Sequence, residues 1–266
     1  MPVGSHRYTQ DLNNPALVLV HGLGSAGSIW KSLVPQLIES FTVYAIDLPG
    51  HGDAPLSEDE AMDPRSLAQA IVDYMLSQQG VETMHVAGNS LGGWIALEMA
   101  AVAPDNIASV TALAPAGLWH EQPRRILPPS LDARILAKIS QYFMKTAYRI
   151  PLLKAIGYKK ITHLWRELSF ESCRDSVIAM ARSKGYRPMW HGANGRRFES
   201  EVSEKVKLSV VFGDEDLMLP EEIAQEKSVA PPHSLWIVVD NCPHVIMWNY
   251  PTLTVELIKK TALVAS

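Results

Sequence analysis

Six short apolar runs, each separated from the next by a longer stretch with helical or turn character, restrict the fold of this 266-residue chain more than any other feature. They are Ala16–Val20 (ALVLV), Thr42–Ile46 (TVYAI), Met84–Gly88 (MHVAG), Ile107–Leu113 (IASVTAL), Leu208–Phe212 (LSVVF) and Leu235–Val239 (LWIVV). Apolarity that is continuous rather than alternating suits strands covered on both faces, as in a parallel sheet flanked by helices.

The intervening segments carry a helical period. In MDPRSLAQAIVDYMLSQQG, Leu67, Ile71, Tyr74 and Met75 share one stripe, Asp63 can cap the start, Pro64 fits the first turn and Gly80 can end the helix. Residues Pro220–Ala230 and Thr252–Val264 read as two further covering helices, and the segment before Ala16 leaves room for one strand. The alternation predicts an α/β fold with a mostly parallel, doubly wound sheet and a ligand site beyond the carboxyl ends of its strands. From Gly117 to Ser203 no strand-like run occurs and helical stretches dominate. The chain is therefore expected to divide into a core of residues 1–116 and 204–266 and a helical insertion of residues 117–203.

Composition narrows the partners. A net charge of −4 with only short basic clusters speaks against nucleic acid or an anionic membrane surface, which require clustered positive charge. The two cysteines, Cys173 and Cys242, form neither a disulfide framework nor a metal-ligand spacing. No segment has the length and apolarity of a membrane span or signal peptide, so a cytoplasmic protein without metal or cofactor is expected.

The chemistry lies at the strand ends. Gly88-Asn89-Ser90-Leu91-Gly92 follows one apolar run and precedes a helix-forming stretch. A G-x-S-x-G in that context holds a serine hydroxyl on a sharp turn above the sheet, at a helix N-terminus that favours developing negative charge. Serine is a weak nucleophile and needs a base oriented by an acid. Of the nine histidines, His244 follows the last run, whereas His233 precedes it and belongs at the wrong end of the sheet. The acid must follow the preceding run, where Asp214, Glu215 and Asp216 are all placed to serve. The loop His21-Gly22-Leu23-Gly24 supplies the Leu23 N–H as an oxyanion donor beside that of Leu91, and His21 reads as a brace for this loop.

The blocks HGLG, DLPGHG, GNSLGG, GDEDLMLP and HVIMWNYP, in that order, resemble the α/β-hydrolase superfamily, specifically its serine carboxylesterase-like members with a helical cap. The resemblance covers nearly the whole chain. It implies Asp216 as the acid, since the family's acid usually stands three residues after the glycine ending its strand. It also implies a Ser90–His244–Asp216 triad and residues 117–203 as a cap. Three positions depart from the pattern: Pro243 stands where glycine commonly precedes the histidine, Asp53 stands where serine is frequent, and the N-terminal segment is short.

Ser90 removes the dehalogenase and epoxide-hydrolase branches, which use aspartate there. The expected substrate is a carboxylic ester of small to medium acyl length. Alternatives are a carbon–carbon hydrolase of the meta-cleavage type, a lactonase or thioesterase, and, from another class, a ligand receptor that retains the triad. The cap aromatics and methionines (among them Trp119, Tyr142, Met144, Tyr148 and Met180) read mainly as glue between cap and core. Trp30, Trp94, Phe143, Trp165, Met189, Trp190 and Val245 are the pocket candidates. Arg124, Arg125 and Arg187 could meet a substrate carboxylate, although surface charge is the better reading.

Overall fold

A computed structural model describes residues 1–56, 60–121 and 131–263. Seven strands, β1 (Gly4–Tyr8), β2 (Ala16–Val20), β3 (Thr42–Asp47), β4 (Met84–Asn89), β5 (Ile107–Leu113), β6 (Lys207–Gly213) and β7 (Leu235–Val239), form one sheet in the order β1-β3-β2-β4-β5-β6-β7. All neighbouring pairs are parallel except β1 with β3, where Gly4 opposes Asp47 and Tyr8 opposes Val43. The six apolar runs are the six parallel strands, and β2 is buried at every position, as continuous apolarity requires. The segment before Ala16 forms the one strand that fits there, an antiparallel edge with polar, half-exposed residues.

The helices are α1 (Val34–Leu37), α2 (Pro64–Gln78), α3 (Leu91–Val102), α4 (Leu131–Ser140), α5 (Met144–Arg149), α6 (Pro151–Tyr158), α7 (Phe170–Arg182), α8 (Tyr186–Ala193), α9 (Glu221–Ala224), α10 (Ile246–Asn249) and α11 (Pro251–Leu263). Asp63 caps α2 by accepting the Ser66 N–H at 3.2 Å, and Gly80 follows the helix at φ +65°. Leu67, Ile71 and Met75 are buried beneath it. Helices α4 to α8 all lie between β5 and β6, and the described part of residues 117–203 contains no strand. These helices hold a second apolar cluster of their own, Met144, Tyr158, Trp165, Leu168 and Cys173.

The single covering helix expected over Pro220–Ala230 does not form. It breaks into α9 and a 3-10 turn at Lys227–Val229, because the Glu226 N–H donates to the Leu118 carbonyl at 2.9 Å instead of continuing the helical ladder. Tertiary hydrogen bonding here overrides local preference.

Candidate active site

The corner between β4 and α3 explains both glycines of GNSLG. A Cβ on Gly88 would overlap the Gly92 carbonyl, and one on Gly92 would overlap the Val20 carbonyl. Ser90 sits between them at φ 58°, ψ −122°, a left-handed backbone that costs a residue with a Cβ on the order of 1–3 kcal/mol. Its surroundings hold it there. The Ser90 N–H donates to Leu113 O at 3.0 Å, and Ser90 O accepts from Gly93, Trp94 and Ala116 at 2.9, 3.2 and 3.0 Å.

The loop after β2 lies against this corner. A Cβ at Gly22 would stand 3.1 Å from Ser90 Cβ and 3.7 Å from Ser90 Oγ. Two neutral imidazoles shape the loop. His21 Nδ1–H donates to Gly22 O at 2.7 Å while its Nε2 accepts the Leu48 N–H at 3.1 Å. His51, from the DLPGHG block, accepts the Gly24 N–H on Nε2 at 3.2 Å and faces Pro49 O with Nδ1 at 3.2 Å. The Gly24 N–H is therefore engaged. Among the described residues neither the Leu23 nor the Leu91 N–H has a hydrogen-bond partner.

Burial lowers the pKa of both rings, and for His51 it acts with the neighbouring His21 to bring the value to about 3. The unfolded chain would bind protons on both rings below about pH 6.5, whereas the fold holds them neutral. Stability tied to the His51 ring is thus complete at neutral pH and lost as pH falls from about 6.5 toward 3, and the His21 ring acts in the same direction. For His51 alone the loss at pH 5 is on the order of 2 kcal/mol. Urea unfolding at pH 7 and pH 5 checks this. His51→Gln, whose amide oxygen can still accept the Gly24 N–H, should flatten the acid side; an unchanged pH slope would contradict the assignment.

At the far side of the corner, β6 and β7 deliver two carboxylates and an imidazole. Asp216 Oδ2 lies 2.7 Å from His244 Nδ1, and Asp216 Oδ1 accepts the N–H groups of Met218 and Leu219, both at 2.8 Å. Both side chains are buried. Asp214 is used differently: its Oδ1 accepts the Cys242 N–H at 3.1 Å and pins the loop that carries His244. That loop turns through Asn241 at φ 52°, with Pro243 accommodated before the histidine. Burial, then the Asp214 carboxylate, raises the Cys242 thiol to about 12, which keeps it an inert packing group.

Asn89 joins the two halves. Its Nδ2 donates to Leu113 O at 3.1 Å and to the His244 backbone carbonyl at 3.3 Å, so the residue before the serine holds the main chain of the histidine. The Ser90 hydroxyl makes no hydrogen bond among the described residues. Such bonds are often long without substrate and tighten when the site is filled. Sequence reasoning missed Asn89 and His51, although they stand in GNSLGG and DLPGHG, because neither is a catalytic residue type in a catalytic position.

Helices α7 and α8 close over the loop. A Cβ at Gly24 would meet Met180 Cε at 2.7 Å and the Tyr186 ring at 3.1 Å. The pocket candidates divide. Trp30 and Met189 are fully buried in the main core, leaving no surface to line a cavity, while Phe143 is 65% exposed on the outside of the insertion. Trp165 belongs to the separate cluster of α5 to α7 and stacks beneath Arg166 at 4.0 Å. Trp94 is pressed by Gly117 and donates its indole N–H to Glu98 at 3.1 Å. Val245 is buried next to His244 and Trp190 is half-buried. Arg187 is exposed without an ion pair among the described residues, and Arg124 and Arg125 lie outside them.

Among the described residues, His6, Asp47 and Asp53 could gather round a cation. Asp47 already accepts the N–H groups of Gly27 and Asp53, at 2.7 and 3.0 Å. No helix among the described residues is long and apolar enough to cross a membrane.

Residues 17–257 match the sequence model of the alpha/beta hydrolase family. The chain is 28% identical over 249 residues to the pimeloyl-[acyl-carrier protein] methyl ester esterase of Methylococcus capsulatus, covering 92% of this chain and 93% of that protein. It is 26% identical over 273 residues to the protein of the same name from Aeromonas hydrophila, covering 97% and 98%. Its fold is similar to the enol-lactonase of Burkholderia xenovorans (TM-score 0.71, 16% identity, 97% and 95% covered). It is also similar to carboxylesterase CesB of Bacillus subtilis (TM-score 0.69, 17% identity, 99% and 93% covered).

Proposed function

The chain belongs to the alpha/beta hydrolase family, and from that premise we propose that it is a serine hydrolase of carboxylic esters, with Ser90 as nucleophile, His244 as base and Asp216 as the acid that orients the imidazole. The observation that carries the reading is the 2.7 Å contact between Asp216 Oδ2 and His244 Nδ1, buried on the loops that leave β6 and β7. His244 Nε2 takes the Ser90 proton as the hydroxyl attacks the ester carbonyl, and the acyl-enzyme forms as the alcohol leaves with that proton. Water, deprotonated by the same imidazole, then releases the acid.

The Leu23 and Leu91 N–H groups receive the oxyanion, each contributing about 3–4 kcal/mol to transition-state stabilisation. Their freedom from other partners supports the role. Residues 117–203 act as a cap on the core of residues 1–116 and 204–266, a division supported by the separate apolar cluster and by Met180 and Tyr186 seated on the loop.

The substrate is an ester of small to medium acyl length. The names of the two esterase relatives add that a methyl ester on a mid-length acyl chain is a fitting member of that class. The test is a chain-length series of p-nitrophenyl and methyl esters, run beside a lactone and an acid-bearing dienoate. The reading requires kcat/KM to peak on an ester within the series; a higher value on the dienoate would reassign the site to carbon–carbon cleavage.

A further inference from the structure

The charge of the whole chain hides a local reversal. Residues 131–166, which form α4 to α6 and the turn after them, carry eight basic residues against one acid, Asp132, in a chain of net charge −4. Six of the cations, Lys138, Lys145, Arg149, Lys159, Lys160 and Arg166, are exposed, and none forms an ion pair among the described residues. Elsewhere such groups do find acids: Lys31 pairs with Asp175 at 2.6 Å, and Lys259 with Glu39 at 3.6 Å.

The same helices turn large apolar side chains to solvent. Ile135 and Ile139 lie one turn apart on α4, and Leu152 and Ile156 one turn apart on α6, each pair on a single face. Tyr142 and Phe143 occupy the turn between α4 and α5. Exposure of the six runs from 52% at Ile135 to 79% at Tyr142. The cations interleave with them at helical spacing, Lys138 with Ile135 and Lys159 and Lys160 with Leu152 and Ile156. An apolar surface framed by unpaired lysines is the composition of an interfacial helix that lies in a lipid headgroup layer.

We propose that the outer face of α4 to α6 is a binding surface for anionic lipid, seating Tyr142 and Phe143 at the headgroup level while the lysines meet lipid phosphates. A second copy of this chain is disfavoured as the occupant, because two like-charged faces would repel. An acidic protein fits less well, since lysine is depleted at the centre of protein interfaces and supplies four of the six exposed cations here. Lysine stems, by contrast, lie readily along apolar surface with the ammonium group reaching the phosphates.

The test is co-sedimentation of the intact protein with large vesicles of phosphatidylcholine alone and of phosphatidylcholine mixed with phosphatidylglycerol. Binding is expected only to the mixed vesicles. It should weaken by about fivefold per charge removed in Lys159→Gln and Lys160→Gln. It should also be largely lost in about 1 M salt, where the Debye length is about 3 Å. Tyr142→Ser with Phe143→Ser should reduce binding at low salt without lowering the melting temperature, because both residues are already exposed. No binding to the mixed vesicles, or equal binding to both kinds, overturns the proposal. So does a dimer in light scattering that the serine pair abolishes, or tighter binding to poly-glutamate than to the vesicles. None of these readouts uses ester hydrolysis, so failure here leaves the active-site reading untouched.

Discussion

In the Ser90→Ala variant, kcat for ester hydrolysis is expected to fall by about 10⁴–10⁶-fold while the unfolding transition stays where it is. The two halves of this expectation have separate causes. Removing Oγ removes the atom that would form the acyl-enzyme, and what survives is the rate enhancement of the oxyanion donors and binding alone. Stability is preserved because the hydroxyl makes no hydrogen bond among the described residues and alanine occupies the same φ of 58°. Ser90→Gly sharpens the test. It loses the same chemistry but relieves the positive φ, so it should be more stable than the parent by about 1 kcal/mol. Steady-state rates on the best ester, paired with calorimetry, check both variants. Wild-type turnover in Ser90→Ala would place the nucleophile elsewhere and end the serine-hydrolase reading.

Strands β2 to β6 were readable because burial on both faces leaves a composition mark, continuous apolar runs, whereas β7 carries the same mark as a half-exposed edge strand; the ends of all six runs matched within two residues. The edge strand β1 left no such mark, since GSHRY is polar and half-exposed; only the space before Ala16 hinted at it. The break in Pro220–Ala230 was illegible for a different reason. It is imposed by Leu118, a residue about a hundred positions away, whose carbonyl takes the Glu226 N–H. The facing of single aromatic side chains was the least legible. Trp30 and Phe143 are equally apolar in sequence, yet one is sealed in the core and the other stands exposed in the turn before α5. Which way an aromatic faces depends on how helices stack, and periodicity within a short helix carries little of that.

Whole-chain charge is a coarse guide for a similar reason. A net of −4 spoke against an anionic surface, yet it averages acidic residues 1–116 and 204–266 with basic residues 117–203. Charge acts over a Debye length of about 10 Å at 0.1 M salt, so the segment and not the chain is the relevant unit.

The choice between Asp214 and Asp216 leads to the second large effect. Position after β6 left Asp214, Glu215 and Asp216 open, and the family spacing favoured Asp216; the hydrogen bonds of the two aspartates now give them different expected phenotypes. Asp216→Asn should lower kcat by about 10⁴-fold with little change in KM, by analogy with the same replacement in a serine protease triad. The asparagine Oδ1 can keep the Met218 and Leu219 N–H groups that Asp216 now accepts at 2.8 Å, so the fold is retained. Its amide, however, presents N–H to His244 Nδ1, which must then become an acceptor. That tautomer places the proton on Nε2, where the Ser90 proton has to arrive, and the base is blocked. Asp214→Asn is the matched control. Its oxygen still accepts the Cys242 N–H, no imidazole faces it, and kcat should stay within about twofold, the ordinary scatter for a surviving hydrogen bond. Stopped-flow acylation rates with urea melts of both variants decide the matter. If Asp214→Asn were the damaged enzyme and Asp216→Asn the competent one, the carboxylate that orients the base would be the other member of the pair.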